Sequence, residues 1–175
     1  TEGVEAAAAL GIDLSALSGT YNMAHPDPAA RMAVRPRFEN VLWAAKTMGA
    51  PIVTLCTGSR DAANMWADHP ANASEEAWGD LRAEMDWALE RAAIHGLQLA
   101  IEPEPGNVVR DAKAARKLLD EGCSAIAICF LHSYANGSNE LQAKRIVQAM
   151  SADTYVTASH EILPVFREFE RFSTA

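Results

Sequence analysis

Three groups of polar residues each follow an apolar run and could carry chemistry. They are Asn22, His25 and Asp27; Thr57, Ser59, Arg60 and Asp61, with Trp66, Asp68 and His69 further along the same loop; and Glu102 with Glu104. A carboxylate at a strand end, with imidazoles on neighbouring loops, binds a divalent metal through oxygen and nitrogen. The carboxylates of Glu102 and Glu104 and the imidazoles of His25 and His69 are candidates for such ligands, with His25 the favoured imidazole. Such a metal polarises a carbonyl and makes the adjacent C–H acidic enough for a carboxylate base, a role open to Glu102 or Glu104. The planar fork of Arg60 suits a phosphate or carboxylate. Asn22 and His69 offer further polar contacts to a substrate, and Trp66, in the long loop, a wall for it. The same residues admit a plainer reading, with Glu102 and Glu104 as solvated loop acids and His25 and His69 as turn residues.

The elements that must position these groups alternate. Leu14 to Tyr21 reads as a strand, closed by the polar run Asn22 to Pro28. Ala29 to Met48 has helical spacing and stops at Gly49, where a left-handed residue suits glycine. Pro51 to Cys56 is a continuous β-branched run, as in a strand covered on both faces. Ser74 caps a helix that ends near His95-Gly96, with Glu75 and Glu76 at the positive end of its dipole and His95 at the negative end. Leu97 to Ile101 predicts a strand, Val108 to Glu121 a helix, Ser124 to Leu131 a strand, Ser138 to Met150 a helix and Thr154 to Ala158 a last strand. Leu163 onward predicts a helix with Pro164 in its first turn. Trp43, Trp78 and Trp87 fall at helix positions and are expected in the core. In such folds ligands bind at the C-terminal ends of the strands. The fold class is therefore α/β, with strand–helix units on a parallel sheet. Five strands do not close an eight-fold barrel, which takes ~200 residues or more, so an open sheet or part of a barrel is expected.

Composition excludes several functions. The 175 residues are 49% hydrophobic and 22% charged, within the globular range. The net charge of −8 with 15 scattered basic residues argues against nucleic acid or an anionic membrane as partner. No apolar run approaches the ~20 residues of a membrane helix, and no secretory signal opens the chain. Cys56, Cys123 and Cys129 lack CxxC spacing and fit reduced thiols in the cytoplasm. A chain that begins at Thr1 is expected to lack an upstream segment.

Ser18 to Asp27 (SGTYNMAHPD), Leu55 to Asp61 (LCTGSRD), Asn64 to Asn72 (NMWADHPAN) and Ile101 to Val109 (IEPEPGNVV) resemble the sugar phosphate isomerase/epimerase family, the xylose-isomerase-like TIM barrels. The resemblance covers about residues 1–120. It implies a small sugar or sugar phosphate as substrate and a divalent metal, manganese, magnesium, zinc or cobalt, with Glu102 at the place of the glutamate ligand ending the fourth barrel strand. It also implies that the chain starts in the first helix. Leu118 to Asn136 (LLDEGCSAIAICFLHSYAN) and Ser159 to Thr174 (SHEILPVFREFERFST) resemble the N-terminal region of the hydantoinase A/5-oxoprolinase family, over about residues 115–175. That family hydrolyses cyclic imides or lactams, often with ATP, but its glycine-rich phosphate segment does not occur here, so no ATP site is expected. By that second resemblance, His132 belongs to the hydantoinase-like CFLHSYAN motif, and Arg167, Glu168, Glu170 and Arg171 form surface ion pairs along a helix.

Two segments are therefore expected, a partial isomerase-like barrel over 1–120 and a hydantoinase-like piece over 121–175, joined between Ala112 and Gly122 as in a chimeric reading frame. The expected function is that of a metal-dependent sugar isomerase/epimerase fragment, poorly active as written, with its metal loosely held. A cyclic-amide hydrolase fragment or a non-catalytic remnant is the alternative. Uncovered strand edges make self-association an expectation too.

Overall fold

The computed structural model describes residues 2–111, 113–114, 116–117 and 125–166. The chain divides into two compact units, residues 1–115 and 116–175.

In the first unit the order is α1 (Glu2–Ala9), β1 (Ala16–Ser18), α2 (Pro28–Met48), β2 (Ile52–Cys56), a 3-10 turn (Pro70–Ala73), α3 (Glu75–His95) and β3 (Gln98–Glu102). Local chemistry sets the helix limits. Asp27 accepts from the Ala29 N–H at 2.8 Å, and Pro28 enters the first turn where its missing N–H costs little. Ser74 accepts from the Ala77 N–H at 3.1 Å. Gly49 and Gly96 close the two helices at φ +77° and +72°. The three strands are parallel in the order β1-β2-β3, with Ser18 opposite Thr54 and Cys56 opposite Glu102.

Strand alternation then separates two faces. Val53 and Leu55, with Leu99 and Ile101 opposite them, face α2 and α3, where Phe38, Leu42, Leu81, Ala88 and Ala92 are buried. The other face carries Ile52, Thr54 and Cys56 against Gln98, Ala100 and Glu102. It is markedly less covered, Gln98, Ala100 and Glu102 all being exposed. The sheet is thus helix-covered on one side, not equally on both as the apolar run of β2 suggests. Between α2 and α3, buried Glu84 accepts from the Tyr21 hydroxyl at 3.0 Å and from both ends of the Arg35 fork, at 3.1 and 2.7 Å.

The tryptophans divide. Trp78 is buried, and Trp87 is half-buried against Phe38 and under the Arg35 guanidinium, 4.4 Å from its ring centre. Trp43, expected in the core, is 64% exposed. The buried seam of α2 runs through Phe38, Leu42 and Ala45, and one residue beyond Leu42 turns about 100° away from it at 3.6 residues per turn. The helix expected from Val108 does not start there, because Val108 and Val109 are buried loop residues.

The second unit runs β4 (Ala125–Ile128), α4 (Ser138–Met150), β5 (Tyr155–Ala158) and α5 (Ser159–Ile162), with β4 and β5 parallel. The strand expected to reach Leu131 ends at Ile128, and residues 131–135 form turns with His132 left-handed at φ +58°. Of the helix expected from Leu163 onward, residues 163–166 are not helical and the rest lies outside the described residues; the short α5 comes just before it. Leu163 lies outside the helical region at φ −145°, as the ring of a following proline favours. Arg167, Glu168, Glu170, Arg171, Cys123 and most of the join between Ala112 and Gly122 lie outside the described residues. No described helix is long and apolar enough to cross a membrane.

Candidate functional site

Three loops leave the C-terminal ends of β1, β2 and β3, and three asparagines lace them together. Asn22 Oδ1 accepts from the Ser59 N–H at 3.0 Å while its Nδ2 donates to the Ser59 carbonyl at 2.9 Å. Asn72 accepts from the Arg60 N–H and donates to the Gly106 carbonyl, both at 2.8 Å. Asn107 accepts from the Gly58 N–H and donates to the Met65 carbonyl, again both at 2.8 Å. Gly58, at φ +75°, lies so close to Asn22 that a Cβ there would stand 2.1 Å from Oδ1. Backbone bonds from Val108 to Gly58 and from Ala24 to Thr57 complete the rim.

Cys56, Glu102 and Glu104 come together at that rim, their ligand atoms all within 4.8 Å of one another. Cys56 ends β2 and is 4% exposed; Glu102 ends β3 and is solvent-accessible; Glu104 is half-buried two residues on. Among the described residues no side chain or backbone N–H donates to either carboxylate. The Glu-Pro-Glu-Pro run contributes to this, since neither proline has an N–H to offer. Partial desolvation and the neighbouring Glu104 charge push the Glu102 carboxyl above its ordinary range. Burial, and then the two carboxylates, push the Cys56 thiol up to about 11, against a lowering contact with Thr20. Two carboxylates without donors beside a sulfur fit a cation.

The other residues singled out in the sequence stand elsewhere. Arg60 is buried, with its fork on Asp80 at 2.6 Å and Glu76 at 2.9 Å. Arg31 shares Asp80, so these charges brace α2, α3 and the β2 loop. His25 is not in the cluster: its Nδ1 accepts from the Asp27 N–H at 3.0 Å and its Nε2 lies 3.3 Å from the Ala62 carbonyl, so an Nε2–H tautomer satisfies both nitrogens locally. His69 caps the 3-10 turn through Nδ1, 3.2 Å from the Ala71 N–H. Trp66 is 55% exposed on the long loop, its carbonyl against Gly106. His95 pairs with Glu39 at 3.3 Å. Cys56, Asn72 and Asn107 are the residues that sequence reasoning did not bring to the site. Only the register of β2 on β3 and the meeting of distant loops reveal them.

Comparison with known proteins gives a family match and two short similarities. The family described as xylose isomerase-like TIM barrel matches residues 1–159, well past the limit of about residue 120 expected for that resemblance. An uncharacterized protein of Methanocaldococcus jannaschii is 36% identical over 62 residues, 35% of this chain and 9% of that protein. The caprolactamase subunit alpha of Pseudomonas jessenii is 38% identical over 55 residues, 31% of this chain and 8% of that subunit. The chain thus spans less than a tenth of either relative.

Proposed function

The chain belongs to the xylose isomerase-like TIM barrel family, and from that membership we propose that its first unit holds a divalent cation and a small hydroxycarbonyl sugar at the β3 end, for isomerase- or epimerase-type proton transfer. The observation that carries this reading is the pair of donorless carboxylates, Glu102 and Glu104, at the C-terminal end of a parallel sheet. The cation, when bound, polarises the sugar carbonyl and acidifies the adjacent C–H. Glu102 and Glu104 would hold the cation, and Glu102 would take and return the proton. Trp66 gives the sugar an apolar wall. Asn22, Arg60 and His69 act on substrate indirectly, by holding the loops.

One carboxylate serving as both ligand and base makes turnover slow, because misplacement by ~1 Å already costs on the order of 100-fold. The direct test is calorimetry with manganese on the chain and on Glu102→Gln, together with solvent isotope exchange into ketoses and ketose phosphates. Binding that weakens in the variant is the expected result, with exchange at most residual. Equal binding by both proteins sinks the assignment.

The similarity to a caprolactamase subunit supports a second reading, in which residues 121–175 derive from a cyclic-amide hydrolase. Release of amino acid from lactams or hydantoins by the chain is its test, and no release counts against it.

A further inference from the structure

Resting on the reading of Glu102 and Glu104 as cation ligands, we propose that Cys56 is a third ligand, through a thiolate, and that the site selects zinc and cobalt over magnesium and manganese.

The position of Cys56 carries the argument. Cys56 and Glu102 form the last rung of the β2–β3 ladder, so their side chains project to the same face of the sheet. That face is not the apolar one: Val53, Leu55, Leu99 and Ile101 pack toward the helices, whereas Cys56 follows Thr54 and Ala100 on the open side. A buried cysteine ordinarily behaves as a small hydrophobe among apolar neighbours. Cys56 is buried too, but polar groups reach its sulfur: the Thr20 hydroxyl, and the carboxylates of Glu102 and Glu104 within 4.8 Å. The three donor atoms lie within 4.8 Å of one another. Zinc bonds of about 2.3 Å to sulfur and 2.0–2.2 Å to oxygen bring two donors within that reach after small side-chain rotations.

The donor set then decides the metal. Magnesium takes six oxygens in an octahedron and has no use for sulfur, while thiolate favours zinc and cobalt(II) in four-coordinate sites. Two carboxylates and one thiolate leave a fourth position for a sugar oxygen or water. The hard-metal site that Glu102 and Glu104 would make alone is thereby converted to a softer one.

Cobalt(II) titration of the full chain reports each ligand type separately. The expected result is visible d–d absorption together with a near-ultraviolet sulfur-to-cobalt charge-transfer band. In Cys56→Ser the charge-transfer band vanishes while the d–d bands persist. The preference for zinc over magnesium, read by competition, falls by at least about tenfold, the loss that even an outer-shell change produces. Far-ultraviolet circular dichroism confirms that the variant is folded, and Cys56→Ala serves if it is not. Charge transfer absent from the unaltered chain overturns the thiolate ligand and leaves the carboxylate site standing. Charge transfer that survives in Cys56→Ser assigns the sulfur to Cys123 or Cys129 and overturns it equally. If no cobalt bands appear at all, the underlying cation reading fails.

Discussion

Glu102 in the first unit and Glu140 in the second both lie at the C-terminal ends of parallel strands, yet they are treated in opposite ways. Glu140, in the first turn of α4, is fully buried. It accepts from the Phe130 N–H at 2.7 Å, the Ser159 hydroxyl at 2.6 Å, the His160 N–H at 2.9 Å and the His160 ring at 2.7 Å. Burial alone would raise its pKa, but these bonds outweigh that and hold it at about 2. Glu102 has no such donors and is pushed the other way. A carboxylate saturated by the protein pins the ends of β4 and β5 together. One that the protein leaves without donors remains available to something the chain does not contain. The strand-end position is shared, and the surrounding donors decide between scaffold and site.

Removing the saturated member should have the largest effect. Glu140→Ala removes the carboxylate shared by the Phe130 and His160 amides and the Ser159 hydroxyl, and should cost about 3–5 kcal/mol, the usual loss when one partner of a buried charged cluster is deleted. Hydrogen exchange at Val156 to Ala158 is the readout. Unchanged protection there would show that the cluster does not hold the strands.

The contrast has a pH signature of opposite sign. Glu140 is held below its ordinary value of 4.5, so its stabilisation is complete above that value and is lost as pH falls from about 4.5 through about 2. Glu102 is raised, so its ionisation weakens the fold as pH climbs from the ordinary carboxylate value through its own. Urea unfolding across this range should show the acid loss flattened in Glu140→Gln, and the opposing, smaller loss removed in Glu102→Gln. Superimposable profiles for the chain and Glu140→Gln would dissolve the comparison.

At neutral pH Glu102→Gln should change stability by no more than about 0.5 kcal/mol, because no donor loses an acceptor, while cation binding falls. A large destabilisation in urea would make Glu102 a scaffold residue like Glu140. The smallest effect belongs to Trp43→Ala: an exposed indole away from the seam of α2 should also matter by no more than about 0.5 kcal/mol. A loss of several kcal/mol in the same experiment would return Trp43 to the core.

Helices α2, α3 and α4 and most strands were legible because their signals are local, whereas the helix starts expected at Val108 and Leu163 were not found. Pro28 with Gly49, and Ser74 with Gly96, mark α2 and α3 within a residue or two, and the β-branched run marks β2. Helix phase was less legible: apolar spacing in α2 does not say which side meets the sheet, so Trp43 and Leu42 look alike. Glu102 was findable from its place after an apolar run. Its companion Cys56 was not, since only strand register brings together residues 46 positions apart. Glu140 looks like any acid in a first helical turn, because its donors are ten and about twenty residues away. His25 has the residue type of a ligand, but short-range bonds to Asp27 and Ala62 occupy it, and no pattern reveals that.

The rim that carries Cys56, Glu102 and Glu104 is fastened by the side chains of Asn22, Asn72 and Asn107. Carboxamides neither titrate nor respond to ionic strength as charges do. These three links are therefore electrically silent, unlike the Arg60 and Arg31 ion pairs behind the β2 loop: acid, base or salt can alter the charge of the cluster without breaking them. Changes in occupancy with pH then report the donors themselves, and the loops act as a fixed bench on which the acid–base chemistry varies.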